Sequence, residues 1–98
     1  MAIALNGKAW RLATAPDPAK RDGARAVDLA ERALRLHPEE PYIRGTLAAA
    51  FAAVGRFDEA VSAQRQGIQM LLREGRRQEA RTFTTRLESY LHEKPPHR

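Results

Sequence analysis

The sequence predicts an all-α fold of five helices, and three observations carry that prediction. Alanine dominates the apolar content: 43% of residues are hydrophobic but only 6% aromatic. Alanine is the strongest helix former, and its small side chain lets helices approach closely. Apolar residues recur at spacings of three and four, the period of a helix with one buried stripe. Proline clusters and glycines stand where those stripes stop.

The first helix is expected from about Ile3 to Thr14. It ends at "APDP", because two prolines and an aspartate halt helical hydrogen bonding. Asp22 is the expected N-cap of the second helix, about Ala24 to Leu36, which "HPEEP" closes. The third opens at Pro41 or Tyr42, since proline is tolerated in a first turn. It presents Ile43, Leu47, Ala50, Phe51 and Val54, and Gly55 stops it as a C′ residue. The fourth opens at Phe57 or Asp58, with Ala60, Val61, Ile68, Leu71 and Leu72 on one side, and ends near Gly75. The fifth, about Arg77 to Leu91, sets Ala80, Phe83, Leu87, Tyr90 and Leu91 on one face. Residues 95–98 are read as a tail.

Ninety-eight residues suit one small domain, placed here at residues 1–94. The absence of cysteine excludes disulfides and thiolate metal sites. No apolar run reaches the length of a membrane span. The opening residues lack the apolar centre of a signal peptide, so a cytoplasmic location is expected. The net charge of +5 is spread along the chain: eight basic and six acidic residues up to Gly55, nine and six after it. Arginine supplies 14 of the 17 basic residues. Together with the alanine content this reads first as a GC-rich coding bias, and nucleic acid is not the expected partner.

A repeat lies within the pattern. Ala26-Val27 and Ala60-Val61 are 34 residues apart, and the same offset pairs Ala33 with Gly67, Leu34 with Ile68 and Leu36 with Met70. That is the period of a helix–turn–helix repeat. On these residues the chain resembles the tetratricopeptide repeat family. Leu47-Ala48 stand at the family's Leu-Gly, Phe51 at its later aromatic, Gly55 and Phe57 at its turn glycine and following aromatic, and Ala60 at its small residue. Arg44 replaces the family's tryptophan, Gln64 a large apolar residue, Gly67 a small residue and Leu72 the closing proline. The run "AWRLATAPDPAKRDGARAVDLAERAL" is similar to a first repeat of many bacterial members, L-A-W-x-L-A-T-x-P-D-x-x-x-R-D-G-x-x-A-V-x-L-A. Its elbow, about residues 15–23, carries a five-residue insertion on "PDPAKRDG".

The resemblance implies an α-solenoid: a first repeat over about residues 3–38, a second over about 41–74, and a capping helix over about 77–91. Two hairpins plus that cap would stack as a right-handed superhelix. Each repeat shelters its apolar face only against neighbours, so two repeats are few. The chain is therefore expected to close a longer array or to pair through its first helix, with Met1, Ile3 and Leu5 forming an apolar edge.

The family's groove positions map to Asn6, Trp10 and Ala13, to Tyr42, Gly45, Ala49 and Ala52, and to Gln78, Arg81, Thr82 and Thr85. Among these, Trp10, Tyr42, Gln78, Arg81 and Thr85 are the candidate contacts for a peptide or helix partner. Trp10 and Tyr42 offer flat amphipathic area, and Arg81 can pair with a carboxylate. The plainer reading makes Trp10 core packing and Arg81 a solvated face. The clamp that some family members use on carboxylate tails needs lysine, asparagine and arginine. Gly45, Thr46 and Ala49 occupy the relevant places, so that activity is not expected.

Arg73, Arg76, Arg77 and Arg81 form the densest basic cluster, but Glu74 and Glu79 interleave and no aromatic platform accompanies them. The cluster is read as solvated or salt-bridged surface. His37, His92 and His97 share no metal-ligand spacing. Asp22, Asp28 and Glu31 sit at a helix start, where the dipole favours acids. No nucleophile motif or phosphate-binding glycine loop is present. The expectation is a non-catalytic protein–protein interaction module without cofactor or metal; the alternatives are a basic helical module that binds nucleic acid and a structural stack that only self-associates.

Overall fold

The structure, a computed structural model, describes residues 1–93. Five helices follow one another: α1 (Ala2–Thr14), α2 (Gly23–Leu36), α3 (Pro41–Ala53), α4 (Phe57–Arg73) and α5 (Arg77–Glu93). A 3-10 turn, Pro18–Lys20, lies between the first two, and no strand occurs among the described residues. The expected tail, residues 95–98, lies outside the described residues.

Local chemistry sets the boundaries. The Asp22 carboxylate accepts the Arg25 amide at 3.1 Å and starts α2. Glu40 accepts the Tyr42 amide at 3.2 Å, and Pro41 takes the first position of α3. The segment between α1 and α2 folds back onto the end of α1. The Asp22 amide donates to the Leu12 carbonyl at 2.9 Å, and Arg21 Nε donates to the Ala15 carbonyl at 2.9 Å.

The corners α3–α4 and α4–α5 are built from the same six residues, G-R-x-x-E-A: Gly55 to Ala60 and Gly75 to Ala80. Gly55 has φ +79° and Gly75 φ +73°, a region that costs any other L-residue a clash of Cβ. At the first corner the Gly55 and Arg56 amides donate to the Ala52 and Phe51 carbonyls at 3.0 and 2.9 Å. At the second, Gly75 and Arg76 donate to Leu72 and Leu71 at the same distances. Both are Schellman closures. Each arginine then grips the glutamate three residues on: Arg56 Nε–Glu59 at 2.6 Å, and Arg76 Nη2–Glu79 at 2.7 Å. Each guanidinium also lies over an aromatic ring of α3, Arg56 at 4.7 Å from the Phe51 centroid and Arg76 at 5.4 Å from that of Tyr42.

Consecutive helices pack against each other, and α1 also packs on α3. The main core is alanine-rich, with Ala9, Ala26, Ala30, Ala48, Ala50 and Ala60 all fully buried. A second cluster gathers Leu71, Ala80 and Phe83 with Ile68. Helix α5 joins the two: Ala80 and Phe83 belong to the second, Tyr90 and Leu87 to the first. Burial pushes the Tyr90 phenol up to about 12.

The Phe83 ring explains why positions 45 and 67 carry no side chain. A Cβ on Gly45 would lie 2.9 Å from its ring, and a Cβ on Gly67 would also lie 2.9 Å from it. The ring thus occupies a slot that only two glycines leave open. Gln64, buried beside it, donates Nε2 to the Phe83 carbonyl at 2.9 Å. Arg44 reaches from α3 to α4 and donates to Gln66 Oε1 at 2.9 Å.

Candidate functional site

A cavity of about 410 Å³ opens between α1, α3 and α5, with Gln64 of α4 at its floor. Asn6, Gly7 and Trp10 come from α1, Tyr42, Gly45 and Thr46 from α3, and Thr82, Phe83 and Arg86 from α5. The volume lies in the range of ligand pockets, about 300–1,000 Å³.

The walls are aromatic and held in place. The Tyr42 ring meets Phe83 edge to face at 5.5 Å and 83°. Its hydroxyl donates to Glu79 Oε2, and Arg76 lies over its face. Arg76 binds the same carboxylate through two nitrogens and pairs with Glu74 at 2.8 Å. The hydrogen bond from Arg76, then that from Tyr42, pulls the Glu79 carboxyl down to about 2. The bond to Glu79 and burial raise the Tyr42 phenol. On the opposite wall, the Arg86 guanidinium sits 4.6 Å from the Trp10 ring centroid.

Two side-chain oxygens nearby are buried, each with under 1 Å² of accessible surface. Gln64 is 1% exposed, and no group among the described residues donates to its Oε1. The same holds for Asn6 Oδ1. Both residues line the cavity. The Thr46 hydroxyl donates to the Tyr42 carbonyl at 3.1 Å.

Two of the five candidate residues, Trp10 and Tyr42, are brought together here. Arg81 and Thr85 are not: they border a shallower depression with Ile68, Leu72, Arg77, Ala80 and Thr84, between α4 and α5. Gln78 is exposed in the first turn of α5 and lines neither hollow. The Phe83 slot gives the reason. It fixes the rotation of α5 so that Thr82 and Arg86, one helical turn apart, face the cavity. Positions 81 and 85 are turned out of it.

Gln64 and Arg86 were not among the groove positions read from sequence. The signal for Arg86 was its four-residue spacing from Thr82. Gln64 had none beyond being polar within an apolar stripe. Of the basic cluster, Arg76 is paired with Glu74 and Glu79, whereas Arg73, Arg77 and Arg81 are exposed. Among the described residues, no three His, Asp or Glu side chains gather to hold a metal ion. No helix among them is long and apolar enough to cross a membrane.

The described residues form an all-helical fold with an aromatic-walled hollow between α1, α3 and α5. No family model, curated protein or solved structure matches the chain.

Proposed function

We propose that the chain is a non-catalytic protein–protein interaction module whose helices stack as two tetratricopeptide-like hairpins and a capping helix. A peptide or helix of the partner docks in the hollow between α1, α3 and α5. The observation that carries this reading is the convergence of Trp10 and Tyr42 on one cavity. Both rings are anchored by arginines from α5 or its leading corner. Rigid aromatics held by cation–π contacts suit peptide recognition, because little side-chain entropy is lost on docking.

The stacking part of the reading is supported by matched burial at four of the five pairs 34 residues apart, all but exposed Leu36 and half-buried Met70. Ala26 and Ala60 are fully buried, Val27 and Val61 buried, Ala33 and Gly67 buried, and Leu34 and Ile68 half-buried. The same reading places the module in the cytoplasm.

Affinity capture with the intact chain tests the docking site, comparing wild type with Tyr42→Ala and Arg81→Ala. Tyr42→Ala loses the partner and Arg81→Ala retains it, since Arg81 stands outside the cavity. Unchanged partners in both variants remove the hollow as the docking site. Binding to generic DNA that falls steeply with added salt would instead favour a basic nucleic-acid module. The exposed apolar edge of Met1 (86%) and Ile3 (89%), near Leu36, supports pairing through the first helix. Sedimentation at several concentrations tests this, and a strict monomer counts against it.

A further inference from the structure

We propose that two copies of the chain pair about a two-fold axis along the edge formed by Met1 and Leu36, each bringing Arg32 and Arg35 against Glu39 and Glu40 of the other. This rests on the reading that the chain pairs through its first helix, and names the occupant and the register of that pairing.

The edge has two sides of opposite charge. On one, Met1, Leu5 and Leu36 border a hollow of about 330 Å³ together with Arg32 and Arg35. On the other, Met1 and Ile3 border a hollow of about 490 Å³ with His37 and Glu40. Glu39 adds to this second side, its carboxylate 3.4 Å from His37 Nδ1 and its side chain 71% exposed. Arg32 and Arg35 are exposed as well.

Two features fix where one side gives way to the other. Met1 belongs to both hollows. Leu36 and His37 belong to one each, and as consecutive residues they lie about 3.8 Å apart. The boundary between positive and negative therefore runs from Met1 to the peptide that joins Leu36 to His37. Apolar surface stands open along it, with Met1 86%, Ile3 89% and Leu36 58% exposed.

A patch divided in this way is complementary to itself. A two-fold axis along the boundary turns one copy over onto the other, so that basic meets acidic twice. The same rotation sets Ile3 of each copy over the hollow between Leu5 and Leu36 of the other. An axis across the boundary sets arginine against arginine, which costs affinity. Other occupants match only half of the edge. A uniformly anionic surface, such as a membrane, suits the arginines and repels Glu39 and Glu40. The depression between α4 and α5, lined by Arg77 and Arg81, suits the glutamates and repels the arginines. So few apolar side chains make a small interface, and the dimer is weak, with a Kd of about 10–1,000 μM.

Sedimentation equilibrium of the full chain over a wide concentration range tests the pairing. The wild type reaches a dimer and no further. Arg35→Glu and Glu39→Arg each weaken it about fivefold or more, because each sets like charges opposite one another twice. Mixed in equal amounts, the two variants recover the association as a heterodimer. Both positions are exposed, and Glu40, which caps α3, is left in place. Arg32→Glu replaces Arg35→Glu if that variant fails to fold, as circular dichroism reports. Ile3→Asp abolishes the dimer in every background. A wild-type dimer that neither reversal weakens, or whose reversals do not rescue each other, leaves pairing through the first helix standing and removes the two-fold register. Growth beyond a dimer reveals an open head-to-tail contact and likewise overturns the proposal. A strict monomer removes the pairing and the register together.

Discussion

The guanidinium of Arg86 lies 4.6 Å from the centre of the Trp10 ring, so a side chain of the last helix covers the only tryptophan, on the first. Arg86→Ala is expected to lose about 0.5–1 kcal/mol, the worth of an exposed cation–π contact. Arg86→Lys recovers part of it, lacking the planar face that stacks. Trp10 emission reports both, through urea denaturation and through its own wavelength maximum. An unchanged midpoint and maximum in Arg86→Ala would show that the two side chains do not meet in solution.

Gly45→Ala places a methyl 2.9 Å from the Phe83 ring. Overpacking of this kind costs about 1–3 kcal/mol, against about 1 kcal/mol of helix propensity gained. The variant is therefore expected to be less stable. In a Phe83→Leu background the slot is roomier, and the same substitution becomes neutral or stabilising. A double-mutant cycle by chemical denaturation checks the change of sign, and independent additive effects would refute the slot.

Gly55 and Gly75 have nothing near the position of a Cβ, so replacing either by alanine costs conformation alone. Each Ala variant is expected to lose about 1–2 kcal/mol from its left-handed backbone, and asparagine at the same site loses less. The corners share no hydrogen bond, so the two losses should add within about 0.5 kcal/mol. Thermal unfolding of both single variants and the double measures this. A loss at one corner only would break the equivalence of the pair.

Acid tests the contact between Tyr42 and Glu79. The folded-state carboxyl of Glu79 is depressed from 4.5 to about 2. Its contribution to stability is thus fully present above about pH 4.5 and is lost as pH falls through about 2. NMR titration of the Glu79 carboxyl should give the low midpoint, and Arg76→Ala should move it most of the way back, since Arg76 is the larger cause. A midpoint near 4.5 in the wild type would mean that neither Arg76 nor Tyr42 holds the carboxylate.

Much of the architecture was legible because it is written in local chemistry. Pro16, Pro18 and Pro41, the Asp22 cap and the two corner glycines each act within a few residues of chain, and the helices begin and end where those signals stand. The site was legible only in part. Trp10 and Tyr42 announce themselves by residue type. The rotation of α5 does not, because it is set by one ring finding a gap between Gly45 and Gly67, on two other helices. A register of apolar residues fixes which side of a helix is buried, but not the finer rotation that decides whether Arg81 or Arg86 faces the cavity. Gln64 stayed hidden for a related reason: a polar residue in an apolar stripe discloses its purpose only once the carbonyl it reaches is known.

The bends at Gly55 and Gly75 owe their shape to bonds within six residues and the last turn of the preceding helix. Such a hinge is portable. Spliced after another helix, the hexapeptide would bring its own chain reversal, while the lie of the two helices would still depend on the ring its arginine finds, as Phe51 serves one corner and Tyr42 the other.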